Sequence, residues 1–422
     1  MKDQQLEGKK LLVLAGGPNL VSLVERAKDL GVYTVVTDYY DPETSPAKKI
    51  ADEYWNISWS DIDSLEKKCR ERGINGITTG YSESPVECCI ELCKRLGLPC
   101  YCTQEQLDFT RDKVRFKETC RKNGVPVVRE YDTIDDVDDF PVIVKPVDRA
   151  GSIGVGIATN MDELRQTYEY AMSKSYSKHV IIEKFIEGTK IDVYYEIRDG
   201  EITLLSTDSV INAKQNGYER VVQSAWYLPS HAHDLIVEKA DPFLKKMIRN
   251  LGIKDGYLFI SGFEEKGQLS FFEAGFRLGG EHLYNYHELL GHINSLDLLI
   301  YHALIGSTAM LKRPCEGNSD LKCMNINVYA NKGVVKSIEG MDEIAAMENC
   351  RFTLITGQIG QECDDDQAIL TKMGMFYFCH TDAKVLMKDT EKAYSLLKIT
   401  DTNGNDMIHD RIDTSAIEGL WE

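Results

Sequence analysis

The chain has 422 residues, of which 43% are hydrophobic and 27% charged, the balance of a globular protein long enough for about two to four domains. A formal net charge of −18 argues against a nucleic-acid partner, because a polyanion would be repelled on most approaches. No apolar run is long enough to span a bilayer, and the opening MKDQQLEGKKLLVLAGG lacks the apolar length of a secretory leader, so the expectation is a cytoplasmic protein without a membrane partner.

From Lys10 to about Leu107, strands alternate with helices. LLVLAGG reads as a strand and turn, NLVSLVERAKDLG as a helix and VYTVVTD as a second strand. IDSLEKKCRERG is helical, INGITTG a strand and SPVECCIELCKRLG a helix, each helix stopping at a glycine. Such alternation predicts a parallel sheet with right-handed crossovers, a Rossmann-like layer over residues 1–107.

From Asp108 to about Lys312 the pattern is mixed. The helix DKVRFKETCRKNG precedes strands PVIVKPV and VGIAT, the helix MDELRQTYEYAMSK and the strand HVIIEKFI. KIDVYYEIRDGEITLLSTDSV predicts a hairpin around Asp199-Gly200, and GYLFISGFEEKGQLSFFEAG a second at Lys266-Gly267, with a helix DLIVEKADPFLKKMIRNLG between them. Beyond Pro314, short strands dominate and the chain is expected to close on the helix TEKAYSLLKI. The twelve cysteines form no C-x-x-C pair, and their spacing predicts reduced, mostly buried thiols rather than a metal site.

The stretch VIVKPVDRAGSIGVGIA, Val142 to Ala158, carries a lysine at a strand end, directly before a glycine-rich loop. Lys145 stands among apolar neighbours, where an unpaired charge is costly, and glycines permit successive backbone N–H groups to cradle an anion. Three further motifs follow the same logic in order: TRDKVRFK with Lys113 at a helix start, VIIEKFIEG running into Glu183, Lys184, Phe185 and Ile186, and SFFEAGFRLGG with Glu273 and Arg277. Together they resemble the ATP-grasp superfamily, in its carboxylate–amine ligase and biotin-carboxylase-like (carbamoyl-phosphate-synthase large-chain-like) branches, over nearly the whole chain.

The resemblance implies an α/β protein with a Rossmann-like N-terminal domain (1–107), a middle α+β ATP-grasp fold (108–312, with a lid of about 114–182 and a larger part of about 183–312) and a small, mixed β-rich C-terminal domain (313–422). It implies an ATP-dependent ligase that activates a small carboxylate, an amino acid or similar metabolite, as an acyl phosphate for attack by an amine or other nucleophile, releasing ADP and phosphate. It implies ATP with Mg2+, or Mn2+ in its place, and a homodimer. Lys113 and Lys145 would face the phosphates, Gly151, Ser152 and Gly154 would close over them, and Glu183 to Ile186 would offer main-chain groups to the adenine. Glu273 would hold the metal, and Arg277 would stabilise charge at the acyl centre.

Three positions depart from the family. Ser261 stands where a carboxylate or glutamine is usual, and Gly275 where asparagine is usual; Lys190 occupies a place where an acidic or other polar ribose ligand is common. Glu264, Glu265, Glu281 and His282 are near enough in sequence to compensate, and Ser261→Glu with Gly275→Asn is expected to tighten magnesium binding if the backbone keeps the family geometry. The departures also support a second reading, a nucleotide-binding regulatory protein with weakened catalysis. A third, a dinucleotide-binding oxidoreductase, rests on LLVLAGGPN and Asp38. His231, His233, Arg220, Glu281, His282 and Tyr284 are candidates to line a substrate pocket.

Overall fold

The computed structural model describes residues 3–149, 153–213, 222–313, 317–364, 371–409 and 411–421. Its first sheet is built from β1 (Lys10–Leu14), β2 (Tyr33–Thr37), β3 (Glu53–Trp55) and β4 (Gly76–Thr78), all parallel, in the order β3-β2-β1-β4. Along β1, Leu11 and Val13 enter one core while Leu12 and Leu14 enter another. Burial on both faces is why this strand reads as a continuous apolar run rather than an alternating one.

The boundary expected between residues 107 and 108 falls inside the helix Gln104–Arg111. Thr103 and Gln106 close a capping box at its start, so the chain enters the next region through an ordered helix rather than a linker.

Beyond it lies a small antiparallel sheet of β5 (Glu130–Tyr131), β6 (Val142–Pro146), β7 (Gly156–Ala158) and β8 (Val180–Lys184), in the order β5-β8-β6-β7. Both later hairpins form as expected. β9 (Thr189–Arg198) turns through Asp199 and Gly200, at φ of +48° and +81°, into β10 (Glu201–Ala213). After β11 (Val222–Leu228), β12 (Gly256–Glu265) pairs with β13 (Gln268–Gly275) across Lys266-Gly267.

The single helix expected between the hairpins is two, His233–Lys239 and Asp241–Asn250, broken at Ala240. Pro242 explains the break: it has no N–H to donate back one turn and its ring crowds that turn's carbonyl, so it is suited to the first turn of a new helix.

The C-terminal third comprises β14 (Lys322–Ala330), β15 (Gly333–Glu339), β16 (Cys350–Ile355), β17 (Glu362–Cys363), β18 (Lys372–His380), β19 (Lys398–Asp401) and β20 (Ile408–His409). Only β17, β15 and β19 make a separate sheet. The others continue the middle region's sheet, which runs β13-β12-β9-β10-β11-β14-β18-β16 with β20 beside β14. Nor does the chain close on its last α-helix, Ala383–Leu396; a 3-10 helix Thr414–Trp421 follows, and Trp421 donates from Nε1 to the Pro229 carbonyl at 3.0 Å.

Candidate active site

One wall of the site is the small sheet. In β6, Val142, Val144 and Pro146 point into the core, which leaves Ile143 and Lys145 on the other face. β6 pairs with β8 so that Ile143 faces Glu183 and Lys145 faces Ile181. Lys145 and Glu183 are therefore diagonal neighbours on one face, within reach of an ion pair, and they form one. Glu183 also binds Lys117, a fully buried residue on the helix Lys113–Asn123. Burial alone would raise the Glu183 pKa, but Lys145 and Lys117 outweigh it and hold the carboxyl below its usual range.

Lys113 lies one turn before Lys117, on the same helix face, and its Nζ reaches the Arg149 carbonyl at 3.4 Å. Burial pushes the Lys113 pKa down; Glu273 opposes that shift and Lys145 adds to it. The lysines expected at the phosphates thus converge with the glutamate expected at the metal. Sequence reading missed Lys117, although its signal was present: it stands four residues after Lys113, beside Phe116.

The other wall is the large sheet. Its register pairs Asp208 with Asp192, Asp192 with Ser261, and Ser261 with Glu273. Directly opposed residues share a face, so these four side chains form a row across β10, β9, β12 and β13. Ser261 Oγ hydrogen-bonds the Asp192 carboxylate. Asp208 accepts from the Asp192 amide at 3.0 Å and from the Tyr194 hydroxyl at 2.6 Å. Burial raises the Asp208 pKa well above normal, and Asp192 raises it further.

Glu273 is half-buried and, among the described residues, makes no hydrogen bond or ion pair. A carboxylate held in a cleft without a protein partner suits a hard cation, so the residue fits the metal role expected of it. No three acidic residues among the described residues bring one oxygen each within 4.8 Å of one another, so Glu273 would act without a ready-made cage.

Gly275 faces Phe259, and the Arg277 guanidinium lies 5.1 Å from the centroid of the Phe259 ring. Arg277 also comes within 3.9 Å of Glu83, at the start of the helix Glu83–Leu96. The N-terminal region thereby contributes a carboxylate to the site. Burial raises the Glu83 pKa, while Arg277 draws it down.

The adenine strand needs correction. Glu183 lies inside the sheet between β5 and β6, where its main chain belongs to the ladder, and its side chain instead anchors the two lysines. The Lys184 and Phe185 amides donate to the Arg129 and Pro141 carbonyls at 2.9 and 3.1 Å, so they are not spare donors. Ile186 follows the strand, and among the described residues its amide has no acceptor. Gly151, Ser152 and Arg220 lie outside the described residues. Gly154 has φ +78°, and a Cβ there would sit 2.8 Å from both Lys174 Cβ and Pro146 Cγ, so no other residue fits that turn.

Of the suggested compensating groups, Glu264 is bound to His231 at 3.0 Å, and Glu265 accepts the Glu187 amide at 3.0 Å. His233 bonds Thr207 at 3.0 Å. Only Glu281 stands in the site, where Asp192 raises its pKa beyond the effect of burial and Lys190 and Arg277 lower it. His282 is buried between the rings of Tyr81 and Phe352, at 4.5 and 4.8 Å, and burial brings its pKa down to about 3. It borders a small pocket with Tyr81, Tyr257, Gly279, Tyr284 and Ser295.

A family model described as an ATP-grasp domain matches residues 138–284, a span that takes in Lys145, Glu183, Glu273 and Arg277. The chain carries an ATP-grasp domain. The 2-oxoglutarate carboxylase small subunit of Hydrogenobacter thermophilus is 25% identical over 299 residues, which are 65% of this chain and 62% of that protein. A biotin carboxylase domain dimer of the 2-oxoglutarate carboxylase from the same organism, solved with MgADP, ADP and bicarbonate, superposes with a TM-score of 0.75 at 18% identity, over 98% of this chain and 93% of that one. An L-amino acid ligase from Bacillus licheniformis gives a TM-score of 0.74 at 18% identity, over 94% of this chain and 100% of that one. At such identities the superpositions establish the fold.

Outside the ATP-grasp domain, Asp38 does not present a ribose ligand. Its carboxylate accepts the Gly16 and Tyr40 amides at 3.0 and 3.2 Å and so braces its own loop, which removes the support for a dinucleotide site. The cysteines of the described residues are free thiols, as expected, but Cys89, Cys93 and Cys100 bring their sulfur atoms within 4.8 Å of one another. Their spacing concealed that meeting, because Cys100 approaches only after the chain turns at Gly97. No helix among the described residues is long and apolar enough to cross a membrane.

Proposed function

We propose that the protein is an ATP-dependent ligase that activates a small carboxylate and couples it to an amine. The observation that carries this reading is the convergence of Lys113 and Lys145 from one wall with Glu273 and Arg277 from the other. A carboxylate oxygen of the substrate attacks the γ-phosphorus of ATP, ADP leaves, and an acyl phosphate forms. The amine then adds to the acyl carbon, and inorganic phosphate departs with the C–O electrons.

Lys113 and Lys145 bind phosphate oxygens as charged donors, and Glu183 keeps Lys145 aimed across the sheet face. Gly151, Ser152 and Gly154 supply the closing loop, Lys184 to Ile186 border the adenine, and the Ile186 amide is its donor. Glu273 would hold Mg2+, or Mn2+, which when bound offsets the charge of the triphosphate. Arg277, held between Phe259 and Glu83, stabilises the oxyanion of the acyl adduct. The dimer of the biotin carboxylase relative supports a homodimer here, which sedimentation checks.

The test is a panel of carboxylates, amino acids included, given with ATP, Mg2+ and amines, preceded by a thermal-shift screen to find binders. With an 18O-labelled carboxylate, the expected result is carboxylate-dependent ADP release with one 18O passing into the released phosphate. ADP release without that transfer would overturn acyl phosphate formation.

A further inference from the structure

Lys190 is a basic residue of the site that the roles above leave unused. It lies two residues before Asp192 on β9, and residues so spaced on a strand share a face, so Lys190 projects beside the row Asp208, Asp192, Ser261, Glu273. Its Nζ is 3.1 Å from Asp192 Oδ2; the two side chains are only 12% and 3% exposed. Four carboxylates surround it: Asp192, Glu273, Asp208 and Glu281 together hold its pKa up, at about 12, against the effect of burial. It is therefore a permanent cation over the working pH range.

We propose that Lys190 is a tethered cation that takes the electrostatic place of a second divalent ion, so that this site handles its nucleotide with a single metal ion, at Glu273. This rests on the ATP reading above. The charges support it. Ser261 is neutral and its hydroxyl is directed to Asp192 rather than left for a metal. Asp208 is driven toward its neutral form. Asp192 already has a cation at ion-pair distance, so Glu273 is the acid of the row left without a partner. A hydrated divalent ion placed beside the ammonium would face direct repulsion in a low-dielectric wall, where charge interactions are strongest.

The experiment is a Mn2+ titration followed by electron paramagnetic resonance, using a non-hydrolysable ATP analogue and carried well past equivalence with nucleotide. The wild type is expected to bind one Mn2+ per bound nucleotide. Lys190→Glu, which replaces the cation with a further ligand, is expected to bind a second. Lys190→Gln keeps the length and a donor but loses the charge, and should weaken nucleotide binding about tenfold at limiting Mn2+, with recovery at high Mn2+. A merely structural lysine would not make that loss metal-dependent. Two Mn2+ in the wild type, or equal nucleotide affinity in Lys190→Gln at every Mn2+ concentration, overturns the inference. Should Lys190→Glu not fold, the wild-type count and Lys190→Gln decide. A wild type that binds no nucleotide defeats the ATP reading and this inference with it, whereas a two-ion count defeats this inference alone.

Discussion

The Phe259 ring occupies the space into which a side chain at Gly275 would project: a Cβ built on Gly275 would lie 2.3 Å from Phe259 Cζ. The ring carries Arg277 on its face. At Gly275, where the resemblance implies asparagine, glycine is thus paired with an aromatic ring, and the space given up at Gly275 and the seating of Arg277 are one structural arrangement. The expectation that Ser261→Glu with Gly275→Asn would simply tighten magnesium does not hold for this geometry.

Gly275→Asn is expected to destabilise the fold by about 1–3 kcal/mol, the usual cost of overpacking, and to unseat Arg277. Phe259→Ala combined with Gly275→Asn should recover part of the stability, because it removes the clash, while activity stays low. Urea unfolding of the single and double variants checks this. Equal stability of Gly275→Asn and wild type would mean that the ring moves aside freely.

Lys117 and Lys145 share Glu183 but should separate experimentally. Lys117 is fully buried, so Lys117→Met breaks a buried pair and is expected to cost about 3 kcal/mol or more of stability. Lys145 is 14% exposed at the cleft, so Lys145→Met should instead weaken ATP binding by about 2–3 kcal/mol, with a smaller loss of stability because Lys117 still neutralises Glu183. Calorimetric titration with ATP beside chemical denaturation distinguishes the two, and reversed effects would reverse the roles.

Glu273→Gln is expected to abolish ATP turnover, since it removes the negative charge that the one acid of the row without a partner would offer the cation. Ser261→Ala should retain turnover and lose about 1 kcal/mol of stability, the worth of its hydrogen bond to Asp192. The magnesium dependence of ADP release reads the first effect and thermal unfolding the second. Full activity in Glu273→Gln would remove Glu273 from the metal role.

Lys372 provides the pH prediction. Burial brings its pKa down to about 8, and Glu281 opposes the shift. The ammonium is therefore less favoured in the fold than in the unfolded chain, which binds more protons between about pH 8 and the normal lysine range. Stability from this group must rise with pH across that window. Deprotonation of buried thiols on unfolding acts in the opposite sense, so the quantity to measure is the difference between wild type and Lys372→Met. Wild type should gain on the variant as the pH is raised above about 8, and a flat difference would mean that Lys372 titrates normally.

Some of the site was legible in the residues themselves. Period-two alternation in VIVKP put Lys145 on a face of its own. A plain count across the Lys266-Gly267 turn, from the pair Glu265 and Gln268, would set Ser261 opposite Phe272; an irregularity between Ser261 and Gly262 shifts it opposite Glu273. The break at Pro242 was also readable from local rules, and was missed only because apolar spacing continues through it. Local periodicity reports which face a side chain takes, and a two-residue turn sets register between the strands it joins only as far as the first bulge.

Pairing between strands distant in the chain carries no such signal. Nothing near Asp192 announces that β12 will settle beside β9, yet that neighbour sets Ser261 against Asp192 and completes the acidic row around Lys190. Likewise Glu183 looked like a strand end offering its main chain. Its side chain binds Lys117, 66 residues away in sequence, on the helix Lys113–Asn123, whose Phe116 and Cys120 are packed in the core of the large sheet. The sequence by itself determined the elements, the hairpins and the kinds of charge present. The tertiary structure alone decided which charges meet, because burial and non-local packing set the distances on which electrostatic energy depends.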